Sequence, residues 1–315
     1  MMHLENMLRS KSINDTGFDN STGNTSGRIL NKDGSSNVIK SGLTYFKRLS
    51  IFHSLIELSA WRFFALCLFG YIGVNLIFGA LYFIAGPSTL GISNDLSVKE
   101  HFLECFFFST QTLTTVGYGR INPTSHYTNT IAAFESFFGL MSFAVLTGLL
   151  YGRFAKPKAY LLFSKNALIS PYKNGQALMF RMAPYKNNNL TEAEVIMNVA
   201  FKIHQNDKVV NKFLPLKTEL GRISSMALNW TVVHAIDEES PLFGMCKEDF
   251  QINNTEVMVF VKAFDEHFSN VVQQRTSYYA DEIVHHAKFV QMFRQSDDQK
   301  TTVLELDKLH DYQVL

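Results

Sequence analysis

The chain has little of what would place it in most functional classes. Its three cysteines, Cys67, Cys105 and Cys246, lie far apart among 315 residues. They form no CxxC pair, so no disulfide framework or cysteine metal site is indicated. Cys67 and Cys105 fall in apolar stretches and read as small packing residues. Charge of one sign is also lacking. With 29 basic and 28 acidic residues the net charge is +1, which gives no support for a nucleic-acid partner. The first residues are polar, without the apolar core of a secretory signal. No HExxH pattern groups the histidines, and no GxGxxG occurs in the C-terminal half. There is no nucleophile–base motif and no locatable pair of catalytic carboxylates, so neither an enzyme nor an organic cofactor is expected. No internal repeat is visible.

What is present divides the chain into unlike parts. Residues 1–26 are rich in Ser, Asn, Asp, Thr and Gly; they are expected to form a disordered tail, too poor in apolar surface to order itself. An N-terminal segment, 27–46, follows. Its Lys32-Asp33-Gly34 centre predicts a turn between two short extended pieces. Residues 47–60 read as a basic amphipathic helix on a membrane surface, with Lys47 and Arg48 on one side and Ile51, Phe52, Leu55 and Ile56 at helical spacing.

Residues 61–155 carry two long apolar runs, Trp61 to about Ala85 and Tyr127 to about Phe154. Each exceeds the roughly 20 residues that cross a bilayer. Asn75 is the strongly polar residue of the first run and Glu135 the charge of the second. Trp61 and Tyr127 suit the membrane interface. Arg62 near the start, with Arg153, Lys156 and Lys158 near the end, places both chain ends in the cytoplasm by the positive-inside rule. The connection includes a shorter apolar stretch, Phe102–Phe108, which reads as a re-entrant helix. Ser97 is its expected N-cap, with Glu100 three residues on.

From 156 to 315 the pattern changes to short segments rich in β-branched and aromatic residues, separated by turn signals. Tyr160–Phe163, Ala177–Arg181, Val195–Ile203, Trp230–Ile236 and Glu256–Phe264 predict an all-β sandwich. Val195–Ile203 alternates, though not cleanly. Asp281–Phe293 reads as helical.

The re-entrant segment ends in Thr112-Leu113-Thr114-Thr115-Val116-Gly117-Tyr118-Gly119. A cation that sheds its water needs oxygens in place of it, and backbone carbonyls aimed at one axis supply them. Turning adjacent carbonyls the same way requires partly left-handed dihedrals, which glycine takes cheaply; hence Gly117 and Gly119. Thr115 adds a hydroxyl at the inner end, while Val116 and Tyr118 point away and brace the loop. The short helix directs its partly negative C-terminus toward the cavity. Four subunits close the ring around K+.

With these residues in place the chain resembles the inward-rectifier potassium channels, prokaryotic members above all, from about residue 27 onward. GRILNKDGSSNVIKSG resembles the N-terminal segment of bacterial members, and the surface helix their slide helix. GRFAKPKA, HAIDEESPLFG (His234–Gly244) and TSYYADEIVHH (Thr276–His286) resemble linker and cytoplasmic motifs of the family. The resemblance implies a homotetramer with a two-span transmembrane pore and an immunoglobulin-like cytoplasmic domain, in a bacterial inner membrane. It implies a selectivity filter of Thr115, Val116, Gly117, Tyr118 and Gly119, with K+ sites at Thr115, Val116, Gly117 and Tyr118, and Gln111, Thr114, Arg120 and Glu135 as filter support. Gly139, Phe143, Thr147 and Tyr151 would line the cavity and the intracellular gate. Arg62, Arg153, Lys156 and Lys158 would bind anionic phospholipid or phosphoinositide.

The chain departs from the family pattern at several positions. Arg120 stands where many bacterial members carry an acid. Gln111 replaces a frequent glutamate that can pair with an arginine near the filter's outer end, so an altered filter brace is expected. The external cysteine pair of animal members is missing. Phe143 occupies the cavity position where strong rectifiers carry an acid, which implies weak rectification. Gly139 and Gly148 serve either bending or close helix packing. His285-His286, adjacent on a helix, would point apart and make a poor metal site. A reading from another class is a non-conducting membrane anchor for a β-sandwich binding module.

Overall fold

The computed structural model describes residues 27–42, 44, 50–186, 188–205 and 208–315. The expected tail, 1–26, and the basic start of the surface helix at Lys47 and Arg48 lie outside the described residues. The chain forms two compact units. One is Ser41–Lys156; the other joins the N-terminal segment up to Lys40 to Pro157–Leu315.

The first unit is helical. A short helix α1, Ile51–Glu57, is capped by the Ser50 hydroxyl, which accepts from the His53 amide. It is followed by α2, Ala60–Ala85, α3, Val98–Leu113, and α4, His126–Phe154. The 26 and 29 residues of α2 and α4 give lengths of about 39 and 44 Å at 1.5 Å per residue, more than the roughly 30 Å of hydrocarbon in a bilayer. Helix α3, at 16 residues, is too short to cross. Few α2 side chains are buried: Phe63, Asn75, Gly79 and Tyr82. Phe64, Leu68, Phe69 and Ile77 stay exposed on the same helix. An apolar surface on all sides fits a lipid environment. The predicted cap of α3 is present in full: the Ser97 hydroxyl accepts from the Glu100 amide and the Glu100 carboxylate accepts from the Ser97 amide.

The second unit is a two-layer β sandwich. Its strands are β1 (Leu161–Phe163), β2 (Ala167–Tyr172), β3 (Gly175–Pro184), β4 (Leu190–Gln205), β5 (Lys208–Leu216), β6 (Arg222–Ser225), β7 (Trp230–Ile236), β8 (Glu256–Asp265), β9 (Asn270–Tyr279) and β10 (Ile283–His285). One sheet runs β1-β3-β2-β10 with β7 beside β3; the other runs β5-β4-β8-β9 with β6 beside β4. Leu178, Phe180 and Met182 of one sheet meet Met197, Val199, Phe201, Val257 and Val259 of the other in a single buried cluster.

The imperfect alternation of β4 has a physical cause. Its second face is also covered, by the N-terminal segment. Leu30 is buried in a cluster with Ala200, Phe213 and Met258, and the Lys202 ammonium donates to the Gly27 carbonyl at 3.1 Å. The predicted turn is present: Leu30 bridges Ser36 and Gly34 has φ +84°. A Cβ at Gly34 would lie 2.5 Å from the Arg275 carbonyl oxygen, so this close approach needs glycine.

The expected helix over Asp281–Phe293 is not formed. One 3-10 turn, Ala280–Glu282, leads into β10 and then into β11 (Ala287–Phe289) and β12 (Phe293–Gln295). Strand β10 pairs parallel to β2. His286 breaks the run with φ +53°, and buried Ile283 and Ala287 on either side pack inward. Tertiary pairing thus overrides a local pattern that suited either state. The two histidines therefore do not share a helix, and no cluster of metal-ligating side chains exists among the described residues.

Candidate ion-conduction site

Helix α3 ends at Leu113, with Thr114 as its C-cap. The chain then turns sharply. The Gln111 carbonyl accepts from the Val116 amide at 2.9 Å and the Gly117 amide at 3.4 Å, and the Thr115 amide donates to the Thr112 carbonyl at 3.1 Å. The hydroxyls of Thr112 and Thr114 donate to carbonyls of their own helix, those of Phe108 and Thr110. Residues Thr115, Gly117 and Gly119 have φ of +59°, +57° and +80°. Left-handed residues therefore alternate with Val116 and Tyr118, whose side chains are 53% and 79% exposed in the single chain. Such alternation turns successive carbonyls to one side. The glycines were legible from sequence; Thr115 was not. A β-branched residue in the left-handed region is a true outlier, and such strain persists where the surroundings impose it.

Behind this loop lies a buried polar network. Glu135 of α4 is fully buried. One of its carboxylate oxygens accepts from the Tyr82 hydroxyl at 2.7 Å, the other from the Ser109 hydroxyl at 2.5 Å. The Ser109 hydroxyl also lies 3.0 Å from the Asn75 side-chain oxygen, Oδ1. The two polar residues of the spans are thus gathered onto the re-entrant helix, as buried polar groups in a membrane require. Tyr82 and Ser109 were not singled out from sequence, because a tyrosine and a serine in apolar runs carry no signal until a partner is known.

The glycines of α4 differ from each other. A Cβ at Gly139 would lie 2.1 Å from the Leu113 carbonyl oxygen, whereas one at Gly148 would meet nothing within 4 Å. Gly139 is therefore a packing glycine. Phe143, Thr147 and Tyr151 share one face of α4. Phe143 and Tyr151 are 70% and 75% exposed in the single chain.

The basic residues also separate. Arg153 does not present a free charge. Its guanidinium donates to the carbonyls of Leu55 at 2.7 Å, Ile56 at 3.1 Å and Leu58 at 2.7 Å and lies 4.5 Å from the centre of the Phe63 ring. It caps α1 and fastens it to α4. Lys156 pairs with Glu57 at 3.4 Å. Arg62 and Lys158 are exposed. Gln111 contributes its backbone carbonyl to the loop, and Arg120 forms an ion pair with Glu104 of α3, a residue that sequence reasoning passed over.

Comparison with known proteins decides the family. Residues 161–314 match the model of the inward rectifier potassium channel C-terminal domain, and residues 70–156 match an ion channel model. The chain is 34% identical over 287 residues to the inward rectifier potassium channel Kirbac3.1 of Paramagnetospirillum magnetotacticum, covering 90% of this chain and 95% of that protein. This chain belongs to the inward rectifier potassium channel family. It is also 31% identical over 197 residues to inward rectifier potassium channel 4 of Homo sapiens, covering 58% of this chain and 43% of the human one. Membership makes α2 and α4 transmembrane spans and the chain an integral membrane protein.

Proposed function

We propose that four copies of this chain form a K+-selective channel in which Thr115, Val116, Gly117, Tyr118 and Gly119 make the filter. The alternation of left-handed residues along this segment carries the reading. A dehydrating ion needs several carbonyls on one axis, and irregular backbone at membrane depth is stable only where it lines a cavity or is covered by protein. The C-terminus of α3 adds partial negative charge at the filter's inner end. Gln111 and Thr114 support the loop through the α3 terminus, and Glu135 supports it through Ser109.

The gate is assigned to Tyr151, on the face shared with Phe143 and Thr147. Four tyrosines at the inner end of α4 close a pore by constriction and dewetting. Phe143 offers no carboxylate to hold a polyamine or Mg2+ in the cavity, so rectification is weak. Arg62 and Lys158, both exposed, are assigned to anionic lipid, and the exposed Lys156 adds charge that it shares with Glu57. Both chain ends face the cytoplasm of a bacterial inner membrane, since basic residues flank the same side of both spans.

The test is K+ flux against Na+ flux in liposomes holding purified protein, with and without anionic lipid. Selective, barium-sensitive flux that a Gly117→Ala variant loses supports the channel. An intact tetramer that stays silent in both lipids would instead fit a membrane anchor for a β-sandwich binding module.

A further inference from the structure

The filter must be held at both ends, and its two ends are held differently. At the inner end the Gln111 carbonyl grips the amides of Val116 and Gly117. The outer end lies elsewhere along α3. A five-residue extended stretch rises at most roughly 16 Å at 3.3 Å per residue, less where left-handed residues curl it. The nine residue steps of helix from Leu113 back to Glu104 cover about 13.5 Å. A chain that reverses at Thr114 therefore comes level with Glu104 as it leaves the filter, two turns away from Gln111.

Three contacts of the exit segment follow this geometry. The Arg120 guanidinium pairs with the Glu104 carboxylate. Ile121 is buried against the cluster containing Cys105 and Phe108. The Asn122 side-chain amide donates to the Gly119 carbonyl at 3.0 Å. Adjacent residues of the exit are thus held in two ways, Arg120 by charge at Glu104 and Ile121 by burial in the apolar cluster that includes Cys105 and Phe108.

We infer that Glu104 is a positioning residue for ion selection, holding the outer filter in register through Arg120. This rests on the reading of Thr115–Gly119 as the filter. Arg120 is 66% and Glu104 25% exposed in the single chain, and a partly exposed pair has a modest effect. Its loss is expected to lower the K+/Na+ permeability ratio about two- to fivefold, without abolishing flux.

The experiment compares wild type, Glu104→Gln, Arg120→Gln and the double variant as full-length tetramers in liposomes. Permeability ratio is read by flux, and assembly by size exclusion. The expected result is a similar fall in each single variant, no further fall in the double, and recovery in the swap Glu104→Arg with Arg120→Glu. Arg120→Lys keeps the charge but not the planar fork and should fall between, which preserves the test if neutralised variants fail to assemble. A selective wild type whose variants keep its ratio, or whose losses simply add, overturns the brace alone. A wild type that passes Na+ as readily as K+ overturns the filter reading, and the brace with it.

Discussion

Replacing Gly139 by alanine tests the packing on which the proposed filter rests. The added methyl would sit 2.1 Å from the Leu113 carbonyl oxygen, 3.0 Å from the carbonyl carbon and 3.2 Å from the Cα. Ordinary contact begins at 3.4 Å, so the backbones must separate by about 1.3 Å. No flexible side chain can absorb this, because the obstruction is the last residue of α3, two positions before Thr115. Overpacking of this kind costs about 1–3 kcal/mol per subunit, set against a helix-propensity gain of about 1 kcal/mol. Gly148→Ala carries the same propensity gain with nothing within 4 Å. Thermal dissociation of purified tetramers and liposome K+/Na+ flux should therefore both suffer in Gly139→Ala and hold or improve in Gly148→Ala. Equal behaviour of the two variants, or wild-type selectivity in Gly139→Ala, would refute the reasoning.

Other expectations follow from single contacts. Glu135→Ala strands the Tyr82 hydroxyl, while Ser109 keeps Asn75 as an acceptor, at about 1–3 kcal/mol for the unsatisfied group; Glu135→Gln should recover part of the lost tetramer stability in the same thermal assay. Arg153→Gln should leave binding to anionic vesicles largely intact while loosening α1, seen as faster amide exchange over residues 51–57, whereas Arg62→Gln should weaken vesicle binding. Docking of the N-terminal segment should fail in acid. Burial raises the Glu282 carboxyl, but the Arg28 hydrogen bond, the Tyr279 amide and the nearby cations outweigh it and hold it below its ordinary 4.5, so its stabilisation is present above that value and is lost as pH falls through the lower folded one. Lower protection of the Ile29 and Leu30 amides at low pH, relative to their intrinsic exchange rate and blunted in Glu282→Gln, is the expected signature. Alkali should act oppositely: burial, against the pull of Glu282, brings Lys32 down from 10.5 to about 8, so the released segment binds more protons between those values and docking tightens as pH rises. Protection of these amides, relative to their intrinsic exchange rate, that falls from pH 8 to 10 would contradict this.

What could be read from the sequence, and what could not, divides by the range of the interaction involved. The two spans, the re-entrant helix and its Ser97–Glu100 cap depend on continuous apolar length and on a local hydrogen-bond pattern, and both are written in consecutive residues. Trp230–Ile236 forms a strand with the bounds its composition suggested, because both ends carry turn signals. Asp281–Phe293 went the other way: its residues suit a helix or a strand, and only pairing with β2 decides. The site divides along the same line. Gly117 and Gly119 announce left-handed backbone through their lack of a side chain, but a left-handed Thr115 is imposed by the fold around it. Gln111 in place of a glutamate pointed to an altered brace but not to a new partner for Arg120. The structure pairs it with Glu104, sixteen residues earlier, a separation at which the sequence gives no sign of the partner. Arg153 shows the converse. Its charge and position suit a lipid contact, and only the folded chain reveals that three carbonyls already occupy its guanidinium. A charged residue at a membrane edge thus acquires a role only when its hydrogen-bond partners are known, which is why Arg62 and Arg153, similar in sequence context, should respond differently when neutralised.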